Sequence, residues 1–106
     1  LALAMSRAHI GICELELHSG SIRLTEIERL LFDLDPQPKF TIDDLFIRIL
    51  PEDQAATKQA LNDAIQTRSE YRAEFRIRKR DGSIAWILGK GSALYDEEGH
   101  ALKVFG

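Results

Sequence analysis

With 106 residues, 44% of them hydrophobic, the chain can form one domain around one core, burying roughly two thirds of its unfolded surface. Its net charge of −3 argues against nucleic acid as the main partner, because a nucleic-acid surface calls for a basic face. The lone cysteine, Cys13, excludes an internal disulfide and fits a reducing, cytoplasmic compartment; no apolar run reaches the roughly 18 residues that cross a membrane, and the opening LALAM is too short for a signal peptide, so no membrane contact by this segment is expected.

Residues 1–8 form a mostly apolar stub carrying Arg7, the tail of an upstream helix or a frayed end. The chain opens without an initiator Met and closes on Gly106 inside a strand pattern. A piece of a larger protein is therefore expected, with a flanking segment over 1–8 and a single domain over 9–106. From Ile10 to Leu17, Gly11, Cys13, Leu15 and Leu17 alternate with Glu14 and Glu16, a strand with one wet face. His18-Ser19-Gly20 turns the chain and Ser21 to Leu24 returns it. Thr25 reads as a helix N-cap, with Glu26 and Glu28 in the first turn where the helix dipole favours anions. Ile27, Leu30 and Leu31 supply the buried side of that helix, and Asp35-Pro36-Gln37-Pro38 ends it. Thr41 caps a second helix running to Leu50, with Leu45, Phe46 and Ile49 at helical spacing. Pro51 opens a third, with Glu52 and Asp53 at its start and a buried stripe of Ala60, Leu61, Ala64 and Ile65.

In the last third, Tyr71, Ala73, Phe75 and Ile77 alternate with Arg72, Glu74, Arg76 and Arg78. Period two marks a half-buried strand. Arg80-Asp81-Gly82 turns, Ile84 to Leu94 returns, Asp96-Glu97-Glu98-Gly99 turns again, and Ala101 to Gly106 forms a last strand. Loop length sets the register of the first hairpin. A three-residue loop with Gly82 in a bulge pairs Ile77 with Ala85 and Phe75 with Ile87; a two-residue loop pairs Ile77 with Trp86 and exchanges the faces. The three-residue loop is favoured. It gathers Phe75, Ile77, Ala85, Ile87, Gly89 and Gly91 on one face and leaves Trp86 and Leu88 among Glu74, Arg76 and Arg78 on the other. The basic run Arg76, Arg78, Lys79, Arg80 then reads as a solvated strand face. Two strands, three helices and three strands, segregated rather than alternating, predict an α+β domain with an antiparallel sheet covered on one face.

Glu74-Phe75-Arg76-Ile77, Asp81-Gly82, Trp86-Ile87, Asp96-Glu97-Glu98-Gly99, Val104-Phe105-Gly106 and the earlier Leu50-Pro51-Glu52-Asp53 together resemble the PAS domain family over residues 9–106. Leu50 departs from the His the family often has there. The resemblance implies a PAS-like five-stranded antiparallel sheet in the order 2-1-5-4-3, with helices packed over one face. It further implies a non-catalytic sensory or dimerisation module that regulates an attached output domain, a histidine kinase or a cyclic-dinucleotide enzyme such as a diguanylate cyclase. The expected partners are a second copy and the flanking signalling domains of the same chain. Flavin-binding light sensors of the family carry a reactive Cys on the helix before the long one, and haem-binding members use a His from the long helix. Residues 41–50 contain no Cys and 51–68 no His, so neither cofactor is expected and any ligand is an unknown small molecule. His9, His18 and His100 lack metal-ligand spacing, so no metal is expected.

Two sites follow. The first is a pocket under the helices, lined by Phe75, Ile77, Ile87, Gly89, Gly91 and Val104, with Leu45, Leu61 and Ile65 opposite. Glycine inside a strand often marks close approach by a ligand or another backbone. The competing reading is that Phe46, Leu31 or Phe32 fills the space over the glycines. Thr57 and Tyr71 are the polar residues nearest this wall. The second site is an interface on the open face at Ile12, Trp86 and Leu88, since exposed apolar patches mark interaction surfaces; here the alternative is that arginine stems cover the indole. A passive spacer and a small cone-fold enzyme are the alternative functions. Glu14, Glu16 and Glu74 all point away from the apolar face and no nucleophile–base pair is visible, so the enzyme requires a buried carboxylate of raised pKa.

Overall fold

The computed structural model describes residues 9–106; the flanking segment expected over 1–8 lies outside the described residues. Strands β1 (Cys13–Glu16) and β2 (Ser21–Leu24) are followed by helix α1 (Glu26–Leu31), the two-residue strand β3 (Phe40–Thr41), helices α2 (Ile42–Phe46) and α3 (Pro51–Thr67), and strands β4 (Tyr71–Arg78), β5 (Ile84–Tyr95) and β6 (Ala101–Phe105). They form one antiparallel sheet in the order β3-β2-β1-β6-β5-β4. Without β3 this is the expected five-stranded order; the sixth strand is added where Phe40 and Thr41 pair with Ile22 and Ser21.

The first hairpin has the three-residue loop. Ile77 pairs with Ala85, Phe75 with Ile87 and Arg76 with Trp86. Gly82 sits at φ +89°, and the Asp81 carboxylate accepts from the Ser83 N–H at 2.8 Å, which fixes the turn locally. Alternation then delivers Phe75 and Ile77 to the core, where Ile77 is fully buried. Leu15, Ile22, Phe32, Leu34, Leu45, Ile49 and Val104 complete that core, with the rings of Phe32 and Phe75 6.1 Å apart.

Three sequence expectations change. The first strand begins at Cys13 rather than Ile10, because Ile12 pairs with Thr25: its N–H donates to Thr25 Oγ1 at 3.0 Å and its carbonyl accepts from the Thr25 N–H at 2.9 Å. Leu30 is exposed rather than buried, and no residue of α1 is buried. The helix capped by Thr41 stops at Phe46 because the next residues are drawn to the outer edge of β4. There the Leu50 N–H donates to the Arg76 carbonyl, and the Arg78 N–H to the Arg48 carbonyl, both at 2.9 Å; Ile49 bridges Ile77. An open strand edge is a liability, and this segment closes part of it.

Asp53, in the first turn of α3, completes the closure. Its carboxylate accepts from the Arg76 N–H at 2.9 Å and from the Arg76 guanidinium at 2.9 and 2.8 Å. Two pieces of the family-like pattern, Pro51-Glu52-Asp53 and Glu74-Phe75-Arg76-Ile77, thus meet in space. These hydrogen bonds hold the Asp53 carboxyl down at about 2, since donors to the ionised form favour it. Similarly, Asp33 accepts from the backbone N–H of Arg80 at 2.7 Å and from its guanidinium at 3.1 Å, ties α1 to the hairpin turn, and is held at about 2.

Candidate functional site

The helices cover one sheet face, and beneath them lie the residues of the expected pocket. Leu45, Phe75, Ile77 and Val104 are buried in the core, with Leu61, Ile65 and Ile87 packed against it. The space over Gly89 is taken by the Tyr71 and Phe75 rings: a Cβ there would meet Tyr71 Cε2 at 3.2 Å and Phe75 Cε1 at 3.4 Å. These rings, rather than Phe46, Leu31 or Phe32, lie against Gly89. Gly91 answers to a neighbouring backbone, since a Cβ there would lie 2.6 Å from the Phe105 carbonyl oxygen. The narrow cleft between Leu61, Ala64, Ile65, Tyr71, Gly91 and Val104 leaves no room for a water molecule. Thr57, the other polar candidate, donates to the Asp53 carbonyl at 2.8 Å within its own helix. A more open cleft of about 410 Å³ lies elsewhere, among Leu34, Asp35, Gln37, Asp44, Ile47 and Arg48.

Glu28 was not legible as a site residue, because its place in a helix first turn already accounts for an acid. Its carboxyl lies beside the Cys13 thiol. Glu28 is half-buried, and that partial loss of hydration raises its pKa against a Cys13 thiol hydrogen bond that lowers it. Burial, followed by the adjacent Glu28, pushes the Cys13 thiol up to about 12. Burial does the same to the Tyr71 phenol, also to about 12. Glu28, Cys13 and Tyr71 thus gather at one end of the core. The signal in the sequence was Gly11: a Cβ there would sit 2.5 Å from Glu28 Cα, so the glycine lets α1 rest on the backbone leading into β1.

Among the described residues, the other sheet face carries no helix. Trp86 is 68% exposed, Leu88 50% and Ile12 44%, and Ile84, Leu94 and Phe105 are exposed as well. The Arg76 guanidinium lies 5.5 Å from the indole centroid but is turned toward Asp53, so it leaves most of the ring open. Around this apolar row the charges have both signs. Glu14 pairs with Lys103 at 3.4 Å and Arg23 at 3.5 Å, and Arg72 with Glu74 at 3.5 Å. Two residues of the basic run at 76–80 are paired with acids: Arg76 with Asp53, and Arg80 with Asp33 and Asp35. Among the described residues no group of His, Cys, Asp and Glu is placed to hold a metal ion, and no helix is long and apolar enough to cross a membrane.

An antiparallel sheet of this order with helices on one face defines a class of sensory domains, and the comparisons agree. The PAS fold family model matches residues 30–106. The whole chain is 28% identical to a stretch of a probable diguanylate cyclase, DgcE, of Escherichia coli, covering 10% of that protein. Over 82% of its length it is 25% identical to a blue-light-activated histidine kinase of Brucella anthropi, covering 18% of it. The crystal structure of a sensory box histidine kinase/response regulator from Burkholderia thailandensis superposes with a TM-score of 0.84 at 26% identity, over 99% of this chain and 79% of that one. The chain belongs to the PAS fold family, and its relatives are signalling proteins in which a PAS domain accompanies a histidine kinase or a diguanylate cyclase. It spans less than a fifth of the length of either curated relative.

Proposed function

We propose that the domain is a signal-transduction module, not itself catalytic, that self-associates through its open sheet face and thereby regulates an attached output domain of the histidine-kinase or diguanylate-cyclase kind. The observation that carries this is the one-sided cover of the sheet among the described residues, which leaves the Ile84, Trp86 and Leu88 row exposed beside Phe105. A second copy is the occupant the face fits best. Charges of both signs flank the apolar row, so a two-fold axis brings acids to bases while burying the apolar residues against each other. Sedimentation of the whole chain tests it. Wild type dimerises at high micromolar concentration, and Trp86→Glu shifts it to monomer. A monomeric wild type, or a Trp86→Glu variant that dimerises as well as wild type, defeats the reading.

The filled interior supports a second reading, a spacer that dimerises without sensing. A thermal-shift screen against small ligands separates the two. A hit lost on filling the wall with Gly89→Leu marks a sensor, and an inert domain marks a spacer. Against an enzyme stands the same end of the core that holds Glu28: the neighbouring thiol, at about 12, is the opposite of an activated nucleophile. Haem and flavin do not suit these residues either, because α2 has no Cys, α3 has no His and the interior is packed. Reducing, cytoplasmic surroundings suit the free Cys13.

A further inference from the structure

Strand β4 lies at one edge of the sheet. Just past its end, the Lys79 N–H turns toward β5 and donates to the Ser83 carbonyl at 2.8 Å. The Arg76 and Arg78 groups turn the other way. The Arg76 carbonyl accepts from the Leu50 N–H, the Arg78 N–H donates to the Arg48 carbonyl, and the Arg76 N–H donates to the Asp53 carboxylate. Even-numbered residues therefore face outward, and the strand period of two extends that to Arg72 and Glu74. Among the described residues, the contacts that close the edge at Arg76 and Arg78 are not repeated there. The N–H and carbonyl of Arg72 and of Glu74 stand open in a row, and both side chains are exposed.

We propose that this open stretch pairs with the same stretch of a second copy, joining two sheets into one across β4. Residues opposite each other in an antiparallel hydrogen-bonded pair exchange both their bonds. A two-fold axis through Ala73 sets Arg72 against Glu74 of the second copy, and Glu74 against its Arg72, so every open group finds a partner. Ala73 meets its own copy in the closer, non-hydrogen-bonded type of pair, where a small side chain fits. The charges select this register. An axis through Arg72 sets arginine against arginine, and one through Glu74 sets glutamate against glutamate, whereas opposite charges across strands are favourable. The ladder ends at Arg76, whose groups are already taken. The contact uses the edge of the sheet rather than its open face and stands whether or not the face self-associates. It is short and exposed, with a dissociation constant on the order of a few millimolar, so it leaves Trp86→Glu predominantly monomeric where the face is tested.

The test is made in the Trp86→Glu chain, which removes the face contact, followed by NMR as its concentration rises to about 2 mM. The amide signals of Arg72 and Glu74 should move with concentration while translational diffusion slows. Adding Arg72→Glu sets acid against acid, and adding Glu74→Arg sets base against base; each should weaken pairing by about tenfold or more. Mixed in equal amounts, these two variants set acid against base at both places, and the signal movement and slowed diffusion should return. That recovery separates pairing between copies from the ion pair that Arg72 and Glu74 make within one chain. Signals that stay fixed in Trp86→Glu, movement that survives either charge reversal, or a mixture that behaves as its separate parts overturns the proposal. The face is judged by comparing wild type with Trp86→Glu and the edge within Trp86→Glu alone, so either can fail without the other.

Discussion

Gly89 and Gly91 stand two residues apart on one face of β5, and their neighbours differ in kind. Gly89 faces ring edges that can swing by a few tenths of an ångström, whereas Gly91 faces the Phe105 carbonyl, which belongs to the adjoining strand. Gly91→Ala is therefore expected to destabilise the fold by about 1–3 kcal/mol as the backbone shifts, and Gly89→Ala by less. Urea denaturation of the two variants checks the order; a larger loss at Gly89 would mean that the rings are as fixed as the backbone. The sequence marked both glycines as places of close approach, but it could not say what approaches. That depends on Tyr71, whose place over Gly89 is fixed by pairing between β4 and β5, and on where β6 ends. Glu28 was hidden for a related reason: its neighbour Cys13 lies on another element, and no local pattern joins the two.

Among the elements, the β4–β5 hairpin was readable to the residue because alternation, turn chemistry and register all agree there. The helix after Thr41 was misjudged in length because its end is decided from outside, by the β4 edge that draws in Arg48 to Leu50. Strand β3 is likewise a tertiary product, two residues long and with no periodicity of its own. The Asp53 and Arg76 contacts that finish this edge carry a pH signature. A carboxyl held at about 2, against an ordinary value near 4, contributes stability that is fully present above about pH 4 and lost as pH falls toward 2. Asp33 acts in the same direction. The urea midpoint of wild type should therefore drop between those values. Asp53→Asn should start lower at neutral pH and drop less steeply, and a variant that tracks wild type throughout would remove Asp53 from the acid transition.

For the whole molecule, the family and the one-sided sheet were legible because the quoted motifs mark turns and strand faces, which backbone geometry dictates. Whether the interior is open or filled was not, since that turns on side chains meeting across the core. The packed interior, with α2 lacking Cys and α3 lacking His, leads to the expectation that the purified chain is colourless. A visible absorption band that stays with the folded protein through gel filtration would contradict it.

One pairing has a mechanical meaning. Strands β1 and β6 run antiparallel at the middle of the sheet, and the outermost bonds of that pair join Cys13 to Gly106, at 2.8 and 3.0 Å. A tug that separates residue 13 from residue 106 peels the two strands apart from one end, loading the hydrogen bonds in succession rather than all together. The fold resists such a pull weakly, and its first bonds to part are those at the centre of the sheet, so tension applied at these two points would reach the interior before it disturbed either outer edge.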